Sequence, residues 1–68
     1  MAEAPDVSVV IPTRNRWSLL SATALPAALG QEGVELEVVV VDDGSTDETT
    51  RRLHELQDAD SRVRIVRR

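Results

Sequence analysis

The sequence predicts an α/β fold, a three-stranded parallel sheet built as β-α-β-α-β with strand order 3-2-1. Three observations lead there. Apolar, largely β-branched runs at residues 7–11, 37–41 and 63–66 alternate with two segments of helical spacing, the pattern of strands joined by helical crossovers. The middle run, EVVVV, is apolar on both faces, as a central parallel strand should be. The 41% apolar fraction is almost entirely Val, Leu and Ala, with Trp17 the one aromatic residue and no cysteine. Such a core suits a buried sheet and excludes a disulfide framework or an aromatic platform for bases.

Val7 to Ile11 (VSVVI) reads as a first strand ending at Pro12. Asn15 or Ser18 can cap the helix that follows, and Asn15 is read mainly in that role. Trp17, Leu19, Leu20, Thr23, Ala24, Ala27 and Ala28 have helical spacing, with Trp17 a packing residue, and the pattern closes at Gly30. Pro26 interrupts it and should kink the helix near Thr23–Leu25 or start a second short turn. After a loop, Glu37 to Val41 forms the second strand. Ser45 and Glu48 have capping-box spacing, so a helix is expected from Thr46 to about Gln57, with Leu53 and Leu56 inward and Asp47 at its N-terminus. His54 reads as a surface residue. Asp58 to Ser61 is a turn, and Val63 to Val66 (VRIV) is the third strand.

Right-handed crossovers place both helices on one face of such a sheet. The other face, carrying alternate valines, is then left uncovered. Sixty-eight residues make at most one small domain, and this one reads as half of a larger one. The net charge of −4 argues against nucleic acid as a partner, because phosphate neutralisation needs a basic surface. All twelve acidic residues lie between Glu3 and Asp60, whereas Arg62, Arg64, Arg67 and Arg68 crowd the last seven positions; they read as a solvated edge strand. There is no membrane span, and MAEAPD lacks the features of a signal peptide, so a cytoplasmic location is expected.

Ligands of open parallel sheets bind beyond the carboxyl ends of the strands. Two polar loops reach that edge: Pro12-Thr13-Arg14-Asn15-Arg16, and Asp42-Asp43-Gly44-Ser45. The paired carboxylates could accept hydrogen bonds from a ribose or a base N–H, or bind a hard cation. For Asp42, a purely structural turn role and a binding role stand side by side; Asp43 leans toward binding. The chain lacks the G-x-G-x-x-G of dinucleotide folds, the alternating acids of an EF-hand and the D-x-D-G-T loop of phosphatases. Receiver domains also end a strand in two acids, but after their first strand rather than their second.

VSVVIPTRNR, a helix ending Leu29-Gly30-Gln31, LEVVVVDDGSTDET and RVRIVRR together resemble the start of a family 2 glycosyltransferase of the GT-A fold, over about residues 7–68. The resemblance implies that residues 1–68 are the N-terminal, Rossmann-like nucleotide-binding half of a GT-A domain, inactive alone. It implies that Pro12, Thr13 and Arg14 flank the base of a UDP- or GDP-type nucleotide-diphosphate sugar. Asp43, with Asp42 a second candidate, would accept a hydrogen bond from the base or ribose; uracil offers its ring N3–H to such a carboxylate. Where the family often has Tyr this chain has Arg14, which can also stack. The resemblance further implies inverting transfer to an acceptor hydroxyl and a divalent cation (Mn or Mg) in the full-length family. The cation's D-x-D motif comes later there; Asp58-Ala59-Asp60 has the pattern in the wrong place, so no metal ligand and no catalytic residue is expected in this chain. The uncovered sheet face offers a route to self-association. A reading of another class is a stand-alone nucleotide-binding or receiver-like regulatory module without catalysis.

Overall fold

The computed structural model describes residues 5–68; the opening residues Met1 to Ala4 lie outside the described residues. Strand β1 (Val7–Thr13) leads into α1 (Trp17–Leu19), a π-helical stretch (Leu20–Ala24) and α2 (Leu25–Leu29). Strand β2 (Leu36–Asp42), helix α3 (Thr49–Ala59) and β3 (Val63–Arg67) complete the chain. The α/β class and the β-α-β-α-β succession are those the sequence predicts.

All strands are parallel, with Val9 opposite Val38 and Val38 opposite Val63. The order is β1-β2-β3, where 3-2-1 was expected. The chain starts at one edge and each crossover advances it by one strand; β2 is central in both orders, which differ in the edge from which the strands are counted. β1 and β3 both outrun their expected ends, β1 by taking in Pro12 and Thr13. Pro12 is tolerated because β1 is an edge strand among the described residues, and a missing N–H on the outer side breaks no ladder.

The side chains of β2 alternate strictly between buried and half-buried. Leu36, Val38, Val40 and Asp42 face the helices, while Glu37, Val39 and Val41 face away. Both helical segments pack on one face and leave the valines of the other uncovered, as expected from two crossovers of the same hand. Val10, 62% exposed, and Val66, 37% exposed, lie on the open face. At its amino end Glu37 accepts a hydrogen bond from Ser8 at 2.9 Å and pairs with Arg64 at 3.5 Å.

The core joins Val38 and Val40 to Leu20, Leu25 and Ala28 of the first helical segment and Leu53 of α3, with Trp17, Leu56 and Ile65 packed against it. Pro26 explains the form of the first crossover. In a regular α-helix its ring would press on the carbonyl of Ala22. The ladder widens into a π stretch immediately before it, and Pro26 falls in the first turn of α2, where its missing N–H costs no bond. The surface of α3 carries Arg51 and Arg52 between Glu48 and Glu55 at 3.5–3.9 Å, exposed pairs of small energetic weight. Arg62 is more constrained: it clamps both oxygens of Asp60 and reaches the carbonyl of Leu29 at 3.2 Å, tying the end of α2 to the start of β3.

Leu53 is fully buried, so Leu53→Ala should lower unfolding free energy by roughly 2–5 kcal/mol, measured by urea denaturation. The hydroxyl of Thr49 is also fully buried and finds no partner among the described residues. Thr49→Val removes that unmet polar group at nearly constant shape, so the same measurement should show stability unchanged or raised by about 1 kcal/mol.

Candidate functional site

The polar loops after β1 and β2 meet at the carboxyl edge. Asp43 donates its backbone N–H to the carbonyl of Thr13 at 2.9 Å, continuing the β1–β2 ladder into the loop, and Arg68 donates its own to the carbonyl of Asp42 at 2.9 Å. Gly44 then turns the chain with φ of 74°, a left-handed conformation that glycine adopts without steric cost. The backbone around the two aspartates is thereby held from both neighbouring strands.

The two carboxylates differ completely in setting. Asp42 is fully buried. Its Oδ1 accepts the Ser45 backbone N–H at 3.1 Å, and its Oδ2 accepts the Thr50 hydroxyl from the first turn of α3. Burial by itself pushes the acid's pKa up, but hydrogen bonds from the Ser45 side chain, Thr50 and the Ser45 amide, with the charge of Arg67, outweigh it and hold the carboxyl below its ordinary value. Asp43 is exposed, and among the described residues its carboxylate makes no hydrogen bond or ion pair.

Of the other residues singled out from sequence, Pro12 and Arg14 are exposed beside Asp43's loop, while Thr13 is 7% exposed. The loops thus present Pro12, Arg14 and Asp43 outward, and use Thr13 and Asp42 inside. A cleft of about 130 Å³ opens next to them, between Pro12–Thr13 and the helical residues Leu19, Leu20 and Thr23. A larger open concavity, about 480 Å³, lies at the opposite, amino edge near Pro5, Glu37, Arg62 and Arg64. There Arg64 is paired with Glu37 and Arg62 with Asp60, and the strand geometry favours the carboxyl edge as the site.

Two local expectations are corrected. Asn15 does not cap the first helix; the N-cap position belongs to Arg16, without a side-chain bond. Asn15 instead sits at φ 51° and reaches across to the other loop. Its Oδ1 accepts the N–H groups of Thr46 at 2.8 Å and Asp47 at 3.2 Å, while its own N–H donates to Ser45 Oγ at 3.0 Å. The Ser45–Glu48 capping box does not form; the Ser45 hydroxyl instead accepts the Asn15 N–H. Helix α3 starts at Thr49, with Asp47 Oδ1 accepting the Thr49 N–H at 2.9 Å.

Sequence reasoning missed Thr50 and Arg67, which donates from Nη2 to the Ser45 carbonyl at 3.3 Å; no local motif marks either. Asn15 carried a signal, since asparagine tolerates positive φ better than most residues. Asp58 and Ala59 belong to the last turn of α3 rather than to a turn, and Asp60 is occupied by Arg62. Among the described residues no three His, Asp or Glu side chains gather in a way that could hold a metal ion. No helix among them is long and apolar enough to cross a membrane.

The family model described as glycosyl transferase family 2 matches residues 8–68. A GalNAc(5)-diNAcBac-PP-undecaprenol beta-1,3-glucosyltransferase of Campylobacter jejuni is 38% identical over 60 residues, covering 88% of this chain and 19% of that protein. The succinoglycan biosynthesis protein ExoO of Rhizobium meliloti is 41% identical over 64 residues, 94% of this chain and 18% of its own length. A validoxylamine A glucosyltransferase of Streptomyces hygroscopicus is 45% identical over 65 residues, 94% of this chain and 15% of its own length. The chain therefore spans about a fifth or less of the length of these relatives.

Because the folded pKa of Asp42 lies below the ordinary 3.8, its stabilisation is complete at neutral pH and is lost as the pH falls from about that value through the lower folded one. Asp42→Asn should lower stability at pH 7 by roughly 1–3 kcal/mol. The gap between wild type and variant should close in strong acid, read as melting temperature against pH.

Proposed function

The chain belongs to glycosyl transferase family 2, and on that premise we propose that it forms the nucleotide-reading part of an inverting glycosyltransferase acting on a UDP- or GDP-type sugar donor. The observation that carries this reading is the contrast between the two aspartates. Asp42 has both oxygens engaged inside the protein, while Asp43, one residue on, presents an unengaged carboxylate at the mouth of the carboxyl edge.

A carboxylate is an acceptor only, so it selects a partner that donates. Uracil presents its N3–H, and guanine presents N1–H with the adjacent amino group. Neutral cytosine and adenine have no ring N–H on that edge. Arg14, exposed on the facing loop, can lay its planar guanidinium against a base, and Pro12 adds an apolar contact. These residues bind and orient. Asp42 is buried and hydrogen-bonded, so it supports the loop and moves no proton. In an inverting transfer the acceptor oxygen attacks the anomeric carbon as the bond to the diphosphate breaks. The nucleoside diphosphate leaves with that electron pair, and the acceptor's proton goes to a base; none of the residues described here is assigned that part. A divalent cation would neutralise the leaving diphosphate, and no residue of this chain is assigned to it.

Titration calorimetry with UDP, GDP and CDP tests the reading. Saturable binding of UDP or GDP at least about tenfold tighter than CDP is expected. Asp43→Asn should weaken it by roughly 10- to 100-fold, the worth of a hydrogen bond to a charged group. A chain that is folded by circular dichroism and binds no nucleotide would sink the proposal.

A further inference from the structure

The two loops of the nucleotide site come from different strands, and their backbones are joined directly by one hydrogen bond, from Asp43 N–H to the Thr13 carbonyl. Three further bonds between them all involve one residue. Asn15 Oδ1 accepts from Thr46 and Asp47, and Asn15 N–H donates to Ser45 Oγ. Ser45 in turn donates its backbone N–H to Asp42. A continuous path of hydrogen bonds therefore runs from the loop bearing Arg14, through Asn15 and Ser45, to the carboxylate at the end of the central strand.

Asn15 makes these contacts from a left-handed backbone conformation, φ 51°, the one positive φ at a non-glycine position among the described residues. That conformation is unfavourable for most side chains. It also turns the side-chain amide away from its own helix, whose N-cap has no side-chain bond. The amides it satisfies, those of Thr46 and Asp47, lie between Asp43 and the start of α3, where no helical carbonyl can reach them.

We propose that Asn15 is a positioning residue for nucleotide binding, a latch that fixes the Arg14 loop against the Asp43 loop so that both sides of the base are preformed. The proposal rests on the nucleotide reading of the Asp43 edge. The latch touches no ligand; it acts by holding Asp43 and Arg14 at a set separation, so that binding need not order them.

Two variants separate the latch from the backbone. Asn15→Gly keeps the positive φ without strain and removes the side-chain acceptor. Asn15→Asp keeps an acceptor oxygen at the same reach. With Asn15→Gly, UDP affinity by calorimetry should fall about tenfold, and hydrogen exchange at the Thr46 and Asp47 amides should accelerate. Asn15→Asp should restore the protection of both amides, and should restore affinity at an ionic strength that screens its added charge. In the wild-type chain, UDP should slow exchange at Thr46 and Asp47 together with Asp43, a readout that stands even if the glycine variant fails to fold. A folded Asn15→Gly chain that binds UDP as tightly as wild type overturns the latch and leaves the nucleotide reading intact. So does wild-type exchange at Thr46 and Asp47 that is indifferent to bound UDP. A folded wild-type chain that binds neither UDP nor GDP overturns the nucleotide reading, and the latch falls with it.

Discussion

Burying an ionised carboxylate is costly unless donors meet its oxygens, and the carboxyl edge of this sheet is organised around meeting that condition at Asp42. One oxygen takes the Ser45 amide and the other the Thr50 hydroxyl, so the loop and the first turn of α3 are both fastened to the end of the central strand. Arg68 holds the Asp42 carbonyl, and Arg67 reaches the Ser45 carbonyl. Loop, helix and edge strand thus converge on one buried charge. Hydrogen bonds of this kind favour the ionised form, and that preference appears in the lowered pKa of the group.

The separate settings of Asp42 and Asp43 follow from strand geometry. Successive side chains on a strand point to opposite faces. Leu36, Val38 and Val40 occupy the helix-covered face of β2, so Asp42 continues that row into the interior. Asp43 follows as the chain leaves the strand, on the side open to solvent. A pair of identical residues is split into a structural anchor and an exposed acceptor by its register alone. Shifting β2 by one residue would exchange the two settings and turn Glu37 toward the helices in place of Leu36.

The first crossover shows a local conflict settled by the backbone. Its apolar spacing requires one continuous helix to deliver Leu20, Leu25 and Ala28 to the core, whereas Pro26 forbids a regular ladder. The π-helical stretch lets the chain keep both, since it moves the carbonyls ahead of Pro26 out of line and still presents Leu20 and Leu25 to the sheet. The widened turn also lines the cleft beside Pro12 and Thr13, so a packing compromise shapes the surface next to the site.

The fold class was legible because it depends on periodicity. Three β-branched runs and two helical spacings allow few arrangements, and EVVVV, apolar on both faces, marked the central strand. The loop after β2 stood out as a candidate site because two carboxylates end an apolar strand at the edge where parallel sheets bind ligands. The local caps were misread for a single reason. Ser45, Glu48 and Asn15 all have the right spacing for capping within their own segments, but hydrogen-bond donors are satisfied by whatever acceptor is near in space. The sequence by itself therefore determined the strands, the crossovers and the position of the paired acids. Only the tertiary structure decided that Asn15 serves the opposite loop, that Thr50 and Arg67 support Asp42, and that Asp43 is the carboxylate left free, because those partners lie 8 to 32 residues apart and meet only when the sheet brings its carboxyl ends together.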